Sequence, residues 1–144
     1  MKHKLHRLKI LFRALPARLA LKFTLSEAVR VVFNRHTFAS YSQYGEDRLI
    51  TKLFDLRRPG FYVDVGCNDP LRFSNTLELY LQGWIGVCID GNEQLIASWK
   101  RTRRLDRAVC AIVSEKPEEV VFELNDTNLL SRVVKPDEPI TGRR

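Results

Sequence analysis

Small polar residues and a glycine mark the ends of short apolar segments in this chain, and their chemistry suits a nucleoside. Asp64 and Gly66 end the first such segment, and Asp90 ends the second. A glycine after a strand allows a tight turn and a close approach of the backbone to a ligand. An acid at the end of the next strand accepts hydrogen bonds from both hydroxyls of a ribose. Asn68 and Ser114 join these candidates because they lie just past the first and third segments.

The turn after the first segment lacks what a dinucleotide requires. The fingerprint G-x-G-x-x-G supplies two further glycines that admit a pyrophosphate, whereas residues 67–71 contain none. Asp69 also adds negative charge where a pyrophosphate would meet a helix N-terminus. S-adenosylmethionine has a ribose and no phosphates, and its cationic groups tolerate carboxylates. A second interpretation stays open, in which Asp64 and Asp90 simply cap a helix or a turn.

These candidates require a scaffold of short strands that alternate with helices. Residues 61–65, 85–89 and 108–113 are apolar, are rich in β-branched or aromatic side chains, and predict three strands. Helical patterns lie between them, from Ser74 or Asn75 to about Gln82 and from Asn92 to about Arg104. Strands that are apolar on both faces and alternate with helices favour a parallel sheet with right-handed crossovers. The predicted fold class is therefore α/β, with a Rossmann-like, doubly wound sheet.

The alternation stops after Val113. Residues 120–124 predict one more strand, and the polar remainder contains Pro136 and Pro139. A doubly wound domain has two sheet halves that meet at a switch point, and only the first is predicted here. We therefore expect a domain truncated after its first half, or one completed by another chain or a second copy.

The positive charge of the chain is concentrated at its N-terminus. Residues 1–36 carry nine Lys/Arg against one acid, a net charge of +8, whereas residues 37–144 carry fifteen against sixteen, a net charge of −1. We therefore divide the chain into a basic helical leader, 1–36, and a domain, 37–144. This distribution argues against a specific nucleic-acid-binding domain, although residues 100–104 with the leader leave that hypothesis open.

The leader has an amphipathic pattern with two interpretations. Apolar residues recur at spacings of three and four, among them Leu8, Phe12 and Leu15, and basic residues fill other positions. The leader either attaches weakly to an anionic membrane surface, or it covers the domain with its leucines. No stretch approaches the roughly 20 apolar residues of a membrane-spanning helix.

Cysteine usage predicts neither a metal site nor a disulfide framework. Cys67, Cys88 and Cys110 form no C-x-x-C pair, and three cysteines cannot all pair with one another. Their spacing repeats the length of one strand–helix unit, and we expect them to pack as small apolar residues. A reducing cytoplasm is the predicted location, with peripheral contact at the membrane if the leader binds lipid.

Four motifs in a fixed order resemble the FkbM family of S-adenosylmethionine-dependent methyltransferases. They are SQYGED at 42–47, GFYVDVGCNDP at 60–70, SNT at 74–76 and GWIGVCID at 83–90. The resemblance extends from about residue 41 to about residue 132 and leaves the leader outside. It implies that Asp64 and Gly66 form the first cofactor motif and that Asp90, where the family more often has Glu, holds the ribose.

The resemblance also adds residues that spacing alone does not indicate. Gln43 and Asp47 match the family's motif ahead of the first strand and are expected to close over the cofactor, and Asn75 matches its motif after the first loop. The implied reaction is methyl transfer to a hydroxyl of a small-molecule or glycan acceptor, such as a sugar or a natural-product-like compound. The catalytic base stays unassigned, because His3, His6 and His36 lie in or beside the leader.

The family's later acid-rich segment, Asp-x-Glu-Gly, has no counterpart here, so cofactor binding is better supported than turnover. The alternative is a noncatalytic, truncated Rossmann-like module that binds a partner chain through its open sheet edge.

Overall fold

The computed structural model describes residues 2–32, 40–54, 58–116, 120–124 and 131–134. Helices occupy the first part of this chain, and strands alternate with helices in the middle. The elements in chain order are α1 (Lys2–Ala14), α2 (Ala17–Val32), α3 (Glu46–Leu53), β1 (Phe61–Val65), α4 (Leu77–Leu81), β2 (Ile85–Asp90), α5 (Glu93–Thr102), β3 (Arg107–Cys110), β4 (Val121–Glu123) and β5 (Arg132–Val134).

The central sheet has three parallel strands in the order β1-β2-β3. Helix α4 connects β1 to β2, and α5 connects β2 to β3. The prediction of an α/β chain with a parallel sheet is therefore confirmed, and the arrangement is compatible with a Rossmann-like fold. In the register, Val65 is level with Ile89, and Asp90 is level with Cys110. The carboxyl ends of all three strands consequently lie at one edge of the sheet.

Some element boundaries differ from the sequence prediction. Strand β3 ends at Cys110 rather than at 113, and α4 begins only at Leu77. Helix α4 starts late because the hydroxyl of Thr76, its N-cap residue, donates to the carboxylate of Asp64 and makes no capping bond. Helix α5 begins as predicted, since the side chain of Asn92 accepts from two backbone amides of its first turn.

The C-terminal strands form a second, two-stranded sheet. Strand β4 pairs antiparallel with β5, so that Glu123 is level with Arg132. The sequence predicted the first of these strands and missed the second. A run of three residues is too short to show a periodic pattern, and the pairing of β5 depends on a partner strand eight residues away.

The leader helices pack on the domain. Leu11, Ala14 and Leu15 lie in one buried cluster with Leu77 and Tyr80 of α4. The phenol of Tyr80 donates to the backbone carbonyl of Ala14 at 2.6 Å. The interpretation in which leucines of the leader cover the domain therefore describes this face.

The amphipathic stripe predicted for the leader was only partly right. Leu15 is buried as expected, but the side chain of Phe12 is 47% exposed. Pro16 interrupts the helix, and the preceding turn directs Leu11, Ala14 and Leu15 toward α4.

Along the described residues, no helix has the length and apolarity that crossing a bilayer requires.

Candidate functional site

The structure brings Asp64 and Asp90 together at the ends of two adjacent parallel strands. Asp64 is the fourth residue of β1, and Asp90 is the last residue of β2. Burial raises the pKa of the Asp64 carboxyl, and the negative charge of Asp90 adds to that rise, against the hydrogen bond from Thr76 and the charge of Arg103. Asp64 is level with Cys88, two residues before Asp90, so the two carboxylates lie on the same face of the sheet near its carboxyl edge.

The turn between these acids is built on Gly66. Its φ of 70° lies in the left-handed region, which L side chains adopt at a cost. The backbone amides of Gly66 and Cys67 both donate to the carbonyl of Ile89, at 2.9 and 3.1 Å, and fasten the turn to the end of β2. A Cβ placed on Gly66 would meet no atom within 4 Å. The backbone at this turn is thus open to an approaching ligand.

Asp90 connects two turns of the site. Its Oδ2 accepts from the amide of Asn68 at 3.0 Å, and its Oδ1 accepts from the amide of Asn92 at 2.9 Å. Each carboxylate oxygen has a second lone pair and can accept a further hydrogen bond from a ligand hydroxyl. Asn68 itself has a positive φ, and its carbonyl accepts from the indole of Trp99 at 2.5 Å. The predicted residue Asn68 therefore contributes backbone groups to the arrangement.

An apolar wall stands beside the Asp90 turn. A Cβ placed on Gly91 would lie 2.9 Å from the ring of Phe122 and 3.1 Å from Cγ1 of Ile112. The backbone amide of Ala111 donates to the carbonyl of Asp90 at 3.1 Å, so the chain past β3 runs along this end of β2. The sequence prediction missed both apolar side chains. Phe122 in particular is brought here by a sheet whose pairing no local pattern indicated.

Arg103 is the central residue that the sequence prediction missed. It belongs to the basic run 100–104 at the end of the predicted helix, yet its side chain is fully buried. Its guanidinium donates to the carbonyl of Pro70 at 2.8 Å and to the hydroxyls of Thr76 and Ser74 at 3.0 and 2.5 Å. It also lies 4.2 Å from the ring centroid of Trp99. Arg103 thereby fixes the loop that carries the hydroxyl partner of Asp64.

Asp106 is the anionic partner of this buried cation. Its Oδ2 lies 3.7 Å from Nη1 of Arg103 and accepts from the phenol of Tyr62 at 2.6 Å, while Oδ1 accepts from the amide of Gly86 at 2.8 Å. Burial raises the pKa of the Asp106 carboxyl, and the hydrogen bond from Tyr62 and the charge of Arg103 oppose the rise. The one feature of the sequence that indicates this pair is the acidic residue Asp106, three positions after Arg103 within a basic stretch.

The motif at 42–47 forms a loop organised by Asp47. The buried carboxylate of Asp47 accepts from the hydroxyls of Ser40 and Ser42 at 2.7 and 2.9 Å and from the amide of Tyr41 at 2.7 Å. Gln43 is exposed and donates to the phenol of Tyr44. In this structure Asp47 therefore holds its own loop, and contact of Gln43 or Asp47 with a cofactor stays a prediction.

The buried carboxylate of Asp47 predicts an acid-sensitive contribution to stability. Burial raises its pKa, but the donors from Tyr41, Ser40 and Ser42 outweigh burial and hold the pKa below its ordinary value of 3.8. The stabilisation is therefore complete above the unfolded-state pKa and is lost as pH falls through the lower folded-state pKa. Asp47→Asn, which replaces one acceptor oxygen with a donor, should lower the free energy of unfolding by about 1–3 kcal/mol at neutral pH.

Urea unfolding of the wild type and of Asp47→Asn at several pH values checks this expectation. The difference between wild type and Asp47→Asn should shrink as the pH falls below 3.8, the ordinary pKa of the group. Glu115→Gln, at an exposed acid, should leave the unfolding midpoint unchanged. A difference that stays constant down to the acid limit would rule out the assigned role of the Asp47 charge.

The two remaining predicted residues lie on the surface. Asn75 is exposed between Ser74 and Thr76, which are buried and bonded to Arg103. Ser114 is exposed and follows β3 by four residues. The structure thus groups Asp64, Gly66, Asn68 and Asp90, and a role of Asn75 or Ser114 in binding a cofactor stays a prediction.

The described part of the chain contains three cysteines. Cys67 and Cys88 are buried free thiols, and Cys110 is an exposed one. Within the described ranges, His, Cys, Asp and Glu side chains form no group of three or more that could hold a metal ion.

Comparisons of the whole chain with protein families, with curated proteins and with solved structures find no match.

Proposed function

We propose that the edge formed by the ends of β1 and β2 binds S-adenosylmethionine, and that the chain is a methyltransferase domain of the Rossmann-like type found in the FkbM family. The observation that carries the proposal is the pair of carboxylates, Asp64 and Asp90, on one face of the sheet at its carboxyl edge, beside the open turn at Gly66. Two of the four motifs that resemble the family, those at 60–70 and 83–90, supply the residues of this edge. We also propose that the fold is a doubly wound sheet with further strands in addition to the three parallel strands described.

The residues present fit the chemical parts of this cofactor. The remaining lone pairs of Asp90 would accept from the ribose hydroxyls, as an acid in this place does in dinucleotide-binding folds. Ile112 and Phe122 beside Gly91 offer an apolar wall to the adenine ring. The carboxylate of Asp64 would attract the cationic sulfonium and amino groups. A pyrophosphate would instead meet two carboxylates and a turn without further glycines.

The cofactor, when bound, supplies an electrophilic methyl group. The residues of this chain would orient the cofactor and hold the acceptor hydroxyl of a sugar or natural-product-like small molecule in line with it, because such displacements are accelerated mainly by positioning. The catalytic base is left unassigned. A cytoplasmic location is part of the proposal and agrees with the three free thiols.

Replacing Gly66 by alanine tests whether the open turn serves a ligand. Gly66→Ala should lower the free energy of unfolding by about 1–2 kcal/mol through its left-handed φ, and in addition weaken S-adenosylmethionine binding at least about tenfold because the methyl group occupies the open side of the turn. Calorimetric titration of the folded full-length chain measures the affinity.

Gly83→Ala is the matched control for the Gly66 variant. Gly83 also has a positive φ, 93°, but it precedes β2 at the opposite end of the strand. A Cβ at Gly83 would also approach Cδ1 of Ile10 to 3.0 Å, so Gly83→Ala should lose at least as much stability as Gly66→Ala and still keep the wild-type affinity. Equal affinities in both variants would remove the ligand role from the Gly66 turn.

One observation favours the alternative function, a noncatalytic module that pairs with another chain or a second copy. Strand β1 is one of the two edge strands of the described three-stranded sheet, and Phe61, Val63 and Val65 on one of its faces are exposed. An uncovered edge strand with an apolar face invites pairing. A folded chain that self-associates in sedimentation experiments and takes up no S-adenosylmethionine would favour this function over the enzyme.

A further inference from the structure

Helix α2 has an exposed apolar face in addition to the face that packs on the domain. Leu21, Leu25 and Val29 follow one another at intervals of four residues, and their side chains are 61%, 63% and 46% exposed. Residues four apart lie on the same side of a helix. Arg18 and Lys22 are exposed on this side as well. The face therefore combines large aliphatic groups with positive charge.

Helix α1 repeats the combination on a smaller scale. Phe12 is exposed, and the exposed side chains of Lys9 and Arg13 lie three residues before and one residue after it. The opposite side of this helix is already used, because Leu11 and Leu15 are buried in the cluster with α4. Each leader helix thus has one apolar surface in the core and a second one in contact with solvent.

Further positive charge lies next to these helices. The amide of Arg104 donates to the carbonyl of Ala14 at 3.3 Å, which places the end of α5 beside the end of α1. The side chains of Arg101 and Arg104 are exposed there. Along residues 8–26, every charged side chain is basic. The outer surface of the leader is consequently cationic as well as apolar.

We propose that the outward sides of α1 and α2, with Lys9, Phe12 and Arg13 on the first and Arg18, Leu21, Lys22, Leu25 and Val29 on the second, bind the surface of an anionic phospholipid bilayer. The basic side chains complement anionic headgroups, and the exposed leucines, valine and phenylalanine enter the boundary between headgroups and acyl chains. The helices lie in the plane of the interface while their buried faces keep the domain attached. This inference is independent of the cofactor proposal.

Charge and apolarity together select a bilayer over a nucleic acid. A nucleic-acid backbone attracts the same cations, but its recognition uses basic, polar and base-stacking aromatic groups. Leu21, Leu25 and Val29 are aliphatic and would gain little from a phosphate backbone. A bilayer takes up both kinds of side chain at once.

Vesicle co-sedimentation of the full-length chain tests the inference. The wild type should bind phosphatidylcholine vesicles that contain about 30% phosphatidylserine and should bind pure phosphatidylcholine vesicles far more weakly. The double variant Leu21→Gln/Leu25→Gln should lose at least about tenfold in affinity for the anionic vesicles. Arg18→Gln/Lys22→Gln should lose a similar amount and become less sensitive to salt.

Helix α3 supplies a matched control for the leucine variant. Leu49 and Leu53 are 61% and 70% exposed, so Leu49→Gln/Leu53→Gln makes the same chemical change at similar exposure. This control should bind anionic vesicles as the wild type does. Equal loss in both double variants, absence of vesicle binding by the wild type, or RNA binding that survives Leu21→Gln/Leu25→Gln with no vesicle binding would each overturn the proposal. Circular dichroism confirms that each variant is folded.

Discussion

Arg103→Ala should lower the free energy of unfolding by about 3–5 kcal/mol, the largest loss expected from any single replacement considered for this chain. The buried guanidinium donates hydrogen bonds to the carbonyl of Pro70 and to the hydroxyls of Thr76 and Ser74. It also forms an ion pair with Asp106. Its removal leaves the carboxylate of Asp106 without its cationic partner. A buried charge that loses its partner costs several times more than an exposed ion pair contributes.

Urea unfolding measures this loss, and the neighbouring residue provides the control. Arg104→Ala removes the same side chain from an exposed position and should change the free energy of unfolding by no more than about 0.5 kcal/mol. Arg103→Lys keeps the charge but lacks the planar fork that reaches several acceptors, so we expect an intermediate loss. If Arg103→Ala were as stable as Arg104→Ala, the buried network would have no part in holding the loop.

Asp90→Ala should weaken S-adenosylmethionine binding by about 100-fold or more. A hydrogen bond to a charged group contributes about 1.5–3 kcal/mol, and the carboxylate is proposed to accept from two ribose hydroxyls. The variant also loses the bonds to the amides of Asn68 and Asn92, so its stability should fall as well. Affinity must therefore be measured well below the midpoint of thermal unfolding.

Two further variants separate the role of Asp90 from a general loss of negative charge. Asp90→Asn keeps one acceptor oxygen and should lose less affinity than Asp90→Ala. Glu93→Gln removes the same charge from an exposed side chain in the first turn of α5 and should bind S-adenosylmethionine nearly as the wild type does. Equal losses in Asp90→Asn and Glu93→Gln would assign the effect to charge alone.

The elements around the site were predictable because their signals are local. The β-branched and aromatic residues at 61–65, the glycine after them and the acid at 90 lie within single strand–turn units. The cap of Asn92 on α5 is likewise determined by residues two and three positions away. Once the strands are parallel, their carboxyl ends lie at the same edge of the sheet, and Asp64 and Asp90 lie at that edge with them.

The residues that hold the site in place depend on distant contacts and gave no such signal. Arg103 is bonded to Thr76 across 27 residues, and Tyr62 to Asp106 across 44. In sequence, Arg103 resembles its exposed neighbours Arg101 and Arg104, because burial depends on the whole fold. Phe122 reaches Gly91 through a strand pairing that no periodic pattern encodes.

Calorimetric titration of residues 1–144 with S-adenosylmethionine is the decisive test of the proposed cofactor site. We expect saturable binding at one site per chain in the wild type, with affinity reduced about 100-fold or more in Asp90→Ala. A wild-type chain that is folded by circular dichroism and takes up no S-adenosylmethionine would contradict it.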